Sequence, residues 1–122
     1  MLGFQFLFTD ADVVFLRNPV RHLASHNTAD IVVQYDIDSG LILGFLLVRP
    51  TYSGVTLMLR TLDIVMSQLI IDQNALNLVI KEMVTIDSLA VVVLDTQQYP
   101  CGKVYFAVSY THLRAHETRH DL

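Results

Sequence analysis

The sequence predicts an α/β fold, a sandwich of helices packed on a mainly parallel sheet, and three observations carry that prediction. Apolar runs of strand length (Phe4–Phe8, Asp30–Asp36, Leu41–Val48 and Val91–Leu94) alternate with longer stretches of helical periodicity between Thr51 and Met83. The runs are nearly free of charge inside, as expected of strands covered on both faces. Composition agrees: of 122 residues, 52% are hydrophobic and 16% charged, which is too apolar for disorder. No apolar run reaches the ~20 residues of a membrane-spanning helix.

Taken in order, Phe4 to Phe8 reads as a buried strand, rich in aromatic and aliphatic residues. Asp10-Ala11-Asp12 follows, and Val13 to Leu16 reads as a second short extended run. Asn18-Pro19 ends it, because the residue before a proline is pushed out of the helical region. Asn18 is then expected to cap a short helix, with Pro19 at its first position and Val20, Leu23 and Ala24 inward. Asp30–Asp36 is a strand with polar ends; Asp36, Asp38, Ser39 and Gly40 form a loop; Leu41–Val48 is the next strand. Gly44 interrupts it, the mark of a bulge or a close backbone approach, with room there for substrate.

Thr51 or Ser53 caps a helix reaching about Ile71. Val55, Leu59, Leu62, Met66, Leu69 and Ile70 recur at three- and four-residue steps and are expected to face the core, with Arg60, Asp63 and Ser67 outside. Asp72 stands where the cap of a second helix belongs, and that helix runs through Lys81 and Met83. Val91 to Leu94 is a buried strand, Tyr99-Pro100-Cys101-Gly102 a turn, and Lys103 to Phe106 a last short strand.

Chemistry concentrates at Asp10 and Asp12. Along an extended backbone, side chains two residues apart share a face. Two such carboxylates repel unless a cation lies between them. Mg²⁺ and Mn²⁺ want oxygen ligands, commonly take one or two carboxylates, and complete their shell with substrate phosphates. The ligand crevice of an open α/β sheet lies beyond the carboxyl ends of its strands. Asp10 and Asp12 are therefore candidate metal ligands for a metal–diphosphate. The same residues also serve an ordinary turn, since Asp side chains bond nearby backbone N–H groups. An EF-hand is excluded, because Val13, Val14 and Phe15 stand where its further ligands and glycine are required. Arg17 either pairs with a carboxylate, touches a phosphate, or is a solvated loop charge. Asp72 and Gln73 are either a helix start or part of a site reading a sugar hydroxyl or acceptor. The net charge of −4, with no interleaved basic and aromatic patch, argues against a nucleic-acid partner. Cys101 is the sole cysteine, so no internal disulfide forms.

The composition changes at Val108, which divides the chain into 1–107 and 108–122. Three of the five histidines, His112, His116 and His120, lie in the second part, where apolar periodicity stops. This stretch resembles an in-frame translation of a transposase-type sequencing adapter and is expected to be non-native. It contains His116-Glu117-Thr118-Arg119-His120, which fits the zinc-protease pattern H-E-x-x-H but lacks an apolar helix face and a downstream ligand. Its two acids and two bases (Glu117, Asp121; Arg114, Arg119) cancel, so residues 1–107 keep the charge of −4.

Four segments in order carry a resemblance: Phe8-Thr9-Asp10-Ala11-Asp12 through Arg17-Asn18-Pro19; Gly44-Phe45 through Arg49-Pro50-Thr51; Asp72-Gln73 with Asn77; and Leu94-Asp95 leading to Tyr99-Pro100-Cys101-Gly102. Together they resemble the nucleotide-diphospho-sugar transferases, in the group that includes plant arabinosyl- and xylosyltransferases. The resemblance spans roughly Phe4 to Phe106. It implies a partial GT-A, Rossmann-like domain with N- and C-terminal parts missing. It implies a retaining glycosyltransferase moving a pentose or hexose from a nucleotide-sugar donor to a glycan or glycoprotein acceptor. Asp12 would be the principal ligand of Mn²⁺ or Mg²⁺. Asp10 would touch the ribose or the metal's water shell, Arg17 and Gly44 would line the donor side, and Asp72 and Gln73 would be catalytic at the sugar and acceptor side. One departure is visible. The family often has Asn two residues before the Gly-Phe pair, and this chain has Ile42-Leu43 ahead of Gly44-Phe45. Relatives suggest Golgi residence, with any membrane anchor outside this chain; Met1-Leu2-Gly3-Phe4 shows neither a basic n-region nor a cleavage site. The nucleoside-binding half normally precedes the acidic motif, so the isolated chain is expected to be inert and to bind cations weakly. The competing enzyme is a haloacid-dehalogenase-like phosphohydrolase, with Asp10 as nucleophile and Asp12 as acid/base; that class also needs a late acidic pair for magnesium after a further strand, and here Val91 to Leu94 is followed by the single carboxylate of Asp95.

Overall fold

The chain turns back on itself between Asp36 and Gly40, and this reversal organises the sheet. The computed structural model describes residues 3–107. In chain order these form β1 (Phe6–Thr9), α1 (Val20–Ser25), β2 (Ile31–Asp36), β3 (Gly40–Val48), α2 (Tyr52–Gln68), α3 (Asp72–Ile86) and β4 (Val91–Val93). A final helical stretch covers 102–107. The strand order is β1-β3-β2-β4. β3 is antiparallel to both β1 and β2, and only β2 and β4 are parallel.

The α/β class is as expected, and the sheet is mixed where a mainly parallel one was expected. The reason is length. Residues 37–39 alone join β2 to β3, and a parallel pair needs a crossover of a dozen or more residues. Asp36 Oδ1 accepts the Asp38 N–H at 2.8 Å inside the turn, and Gly40 takes φ +82°, the left-handed region that glycine enters without a steric cost. The sheet carries two cores. Ile31, Val33, Leu46 and Val48 meet Leu57 of α2 and Leu76, Val79, Ile80 and Met83 of α3 on one face. Val32, Phe45 and Leu47 meet Leu23 of α1 and Leu94 on the other.

Local boundaries differ from expectation in ways that bonds explain. Val13–Leu16 is not a strand: the Val13 N–H reaches back to the Asp10 carbonyl at 3.3 Å, and the turn folds Phe15 onto Phe45. β1 is half-exposed because it is a sheet edge, so Phe6 and Phe8 stand partly in solvent while Leu7 joins a core. In α1 only Leu23 is buried, and the helix starts at Val20, whose N–H is held by Asn18 Oδ1 at 3.0 Å. α2 stops at Gln68 because Leu69 adopts φ 53°; Ile71 is the N-cap of α3, with Asp72 its first helical residue. Lys103–Phe106 is helical, tied by the Tyr105 N–H to the Cys101 carbonyl at 2.9 Å.

The inward face of α2 is the largest correction. Leu57 and Thr61 face the sheet, while Leu59, Leu62 and Met66 are 58–70% exposed and Leu69 is 89% exposed. The helix is apolar on more than one side, so periodicity alone does not choose. The choice is made at its start. Thr51 caps it, its hydroxyl oxygen accepting the Gly54 N–H at 3.0 Å, and Gly54 lies so close to the Arg49 carbonyl that a β-carbon does not fit.

Candidate functional site

Because β3 runs against the other strands, the carboxyl ends of β1, β2 and β4 and the start of β3 share one edge of the sheet. Asp10 leaves β1 at that edge. Its N–H donates to the Gly44 carbonyl at 2.9 Å, continuing the β1–β3 ladder, and its carbonyl accepts from Val13. The backbone of the acidic turn is thus held at both ends. The side chain lies over Gly44, where a β-carbon would come within 2.6 Å of Asp10 Oδ2. Gly44 therefore makes room for a carboxylate of the chain itself. It also falls in a register irregularity: β2 pairing jumps from Leu46 opposite Val33 to Ile42 opposite Gln34.

Ala11 and Asp12 form the corner of the turn, so strand alternation does not set the directions of the two carboxylates. Both are exposed, and neither side chain has a hydrogen bond or ion pair among the described residues. No group of three or more His, Cys, Asp or Glu side chains is gathered among those residues. This donor set does not fit an all-protein metal cage. It does fit a hard cation shared with a diphosphate, which takes only one or two carboxylates from the protein.

Arg17 stands apart. It is exposed and makes no ion pair with Asp10 or Asp12 among the described residues. With Leu7, Phe15, Asn18 and Pro19 it lines a shallow groove of about 470 Å³ beside β1. Asp72 and Gln73 open α3, whose first turns pack on the start of β3. Asn77 Nδ2 donates to the Leu41 carbonyl at 2.6 Å and to the Gln73 carbonyl at 2.8 Å, while its Oδ1 accepts the Leu41 N–H at 3.1 Å. Asp72 Oδ1 accepts the Gln73 N–H at 2.7 Å. Neither Asp72 nor Gln73 is bonded to Asp10 or Asp12.

On the opposite face, Phe15, Phe45, Tyr99 and His22 form a chain of ring contacts with centroids 5.5–5.9 Å apart. His22 Nδ1 and the Tyr99 hydroxyl are hydrogen-bonded at 2.8 Å, and burial raises the Tyr99 pKa. Gln34 Nε2 donates to the Tyr99 and Pro100 carbonyls at 3.1 and 3.0 Å. These contacts fix the segment after β4 and buttress the acidic turn through Phe45. Sequence reading missed Gln34, Asn77 and the Tyr99–His22 pair as linking residues. Asn77 and Tyr99 had motif positions as their signal; Gln34 and His22 have no local pattern.

Asp95, which follows β4, accepts the Gln97 N–H at 2.8 Å within a turn and has no second acid beside it in sequence. The late acidic pair of a haloacid-dehalogenase-like phosphohydrolase therefore has no counterpart there. The H-E-x-x-H motif and the 108–122 segment lie outside the described residues.

A family model described as nucleotide-diphospho-sugar transferase matches residues 1–121. No curated protein and no solved structure matches the chain. The chain belongs to the nucleotide-diphospho-sugar transferase family.

Proposed function

We propose that this nucleotide-diphospho-sugar transferase seats the diphosphate of its donor at the Asp10–Asp12 turn, with Mn²⁺ or Mg²⁺, for transfer of a pentose or hexose to a glycan or glycoprotein acceptor. The observation that carries the reading is the acidic turn itself. Its backbone is held by two hydrogen bonds and its Asp10 carboxylate rests on Gly44, yet both carboxylates are left without a partner among the described residues. Asp12, at the corner of the turn, is the principal ligand in this reading, with Asp10 beside it. When bound, the cation offsets charge on the departing nucleoside diphosphate. Asp72 and Gln73, at the same edge and on the first turn of α3, face the sugar and acceptor. Arg17 serves at most the outer part of the donor site, since it lines the groove beside β1 rather than the acidic turn. A Golgi location and a membrane anchor elsewhere in the protein belong to the same reading. Among the described residues no helix is long and apolar enough to cross a membrane.

The test is calorimetric titration of the chain with uridine and guanosine diphosphates, with and without Mn²⁺. Binding of one of them is expected to need the metal and to weaken about tenfold in Asp12→Asn, a loss of about 1.4 kcal/mol. Metal-independent binding, or equal binding by Asp12→Asn, would contradict the proposal.

A further inference from the structure

We infer that Asn77 is a positioning residue of this site, locking the start of β3 to the first turn of α3 so that Asp72 and Gln73 stand at a fixed distance from the acidic turn; the inference rests on the function proposed above. The argument starts from the ladder. β1 ends at Thr9, opposite Phe45, so the strand on that side of β3 does not extend to Leu41. On the other side, β2 pairs Tyr35 with Leu41. The Leu41 N–H and C=O both go to the Asn77 amide, at 3.1 and 2.6 Å, in the way a neighbouring strand would take them. Such half-buried backbone groups need partners.

The same amide donates to the Gln73 carbonyl at 2.8 Å, four residues earlier in the helix. One planar group therefore ties the sheet edge to the turn that carries Asp72 and Gln73. The other inward residues of α3 (Ala75, Leu76, Val79, Ile80 and Met83) are apolar. Apolar packing is non-directional and sets how deeply the helix sits. Hydrogen bonds have preferred directions, so Asn77 also sets how far the helix slides and how it is rotated. Gly40 keeps the joint tight: at φ +82°, a β-carbon there would lie 3.3 Å from Asn77 Oδ1.

The test is NMR of the full chain titrated with Mn²⁺ alone, which broadens resonances steeply with proximity. The backbone amides of Ala11 and Gly44 report the metal, and the side-chain amide of Gln73 reports the position of α3. In Asn77→Leu, which keeps apolar packing, and in Asn77→Ala, the Gln73 broadening relative to Ala11 is expected to change by about twofold or more, a shift on the order of 1 Å being enough to matter at an active site. Loss of thermal stability alone, with that ratio unchanged in a folded variant, would reduce Asn77 to a backbone partner and overturn the inference. If Ala11 and Gly44 are not broadened in the unsubstituted chain, the metal reading fails and takes this inference with it. If they are broadened and Gln73 does not respond to either substitution, this inference alone fails.

Discussion

The two ends of the sheet use aspartate in opposite ways. At the amino ends of β2 and β4, Asp30 is half-buried and fully engaged. Its Oδ1 accepts from the Thr51 hydroxyl at 2.7 Å and its Oδ2 from the Ala90 N–H at 2.8 Å. Its backbone N–H donates to the Ala90 carbonyl and its carbonyl accepts from Arg49. Through Thr51, whose oxygen also accepts from Gly54, this one carboxylate joins the start of α2 to the sheet. At the other end, the turn carrying Asp10 and Asp12 is held by the backbone bonds of Asp10, and the two carboxylates bond nothing among the described residues. A bonded carboxylate stabilises the fold. A carboxylate whose backbone is fixed and whose oxygens are open is available to a ligand.

The sharpest way to break this contrast is Asp30→Ala. It leaves the Thr51 hydroxyl and the Ala90 N–H without their acceptor, with an expected loss of about 2 kcal/mol of stability. Urea unfolding would read it as a lower midpoint at unchanged slope. The matching change, Asp10→Ala, is expected to cost well under 1 kcal/mol, because no side-chain bond is lost.

Gly44→Ala sharpens the contrast from the site's side. The added β-carbon meets the free end of the Asp10 side chain, which moves cheaply, so little stability should be lost. The carboxylate is displaced, however, and Mn²⁺ affinity measured by calorimetry is expected to fall about threefold to tenfold, on the order of 1 kcal/mol. Unaltered Mn²⁺ affinity would show that the seat on Gly44 does not matter.

Tyr99→Phe removes one hydrogen bond to His22 and keeps the ring stack, for an expected cost of about 1 kcal/mol. Its pH signature has a definite sign. Burial raises the Tyr99 pKa in the folded state. The resulting stability is therefore full below the unfolded value of about 10 and is lost as pH rises through the folded value. In an ultraviolet titration, Tyr99→Phe should abolish an ionisation step that lies above the usual tyrosine value.

The smallest effect is expected at Arg60 and Asp87. Their 2.8 Å pair raises the Arg60 pKa chiefly through the hydrogen bond, but the guanidinium is solvent-exposed. Exposed pairs contribute little, and Arg60→Gln should leave the unfolding midpoint unchanged at both low and high salt.

Much of this arrangement was legible in the sequence. The apolar runs and helical stretches marked all four strands and both long helices, and the Asp-x-Asp after the first run placed the candidate site at a strand end. Gly44 stood out as an interruption, and it does lie in an irregular register. The hairpin between β2 and β3 carried a readable signal, since three residues cannot cross over to a parallel neighbour. The inward face of α2 did not, because Leu57 and Leu59 are equally apolar and only the packing at Thr51 and Gly54 selects between them. Asp30, Gln34 and Tyr99 act across 21 to 77 residues of sequence, where local pattern has no reach. The acidic turn shows the same limit at short range: its spacing was read as alternation along a strand, and a single bond from Val13 to Asp10 makes it a corner.

The most direct test is a double dissociation in one set of proteins. Asp12→Asn and Asp30→Asn would be compared with the unsubstituted chain for unfolding midpoint and for Mn²⁺-dependent nucleoside diphosphate affinity. The contrast between the two ends predicts that Asp12→Asn loses about tenfold in affinity with an unchanged midpoint, and that Asp30→Asn lowers the midpoint with unchanged affinity below it. If Asp12→Asn destabilises the fold while affinity stays, or Asp30→Asn weakens binding as much as Asp12→Asn, the division between a structural and a ligand-binding carboxylate end is wrong.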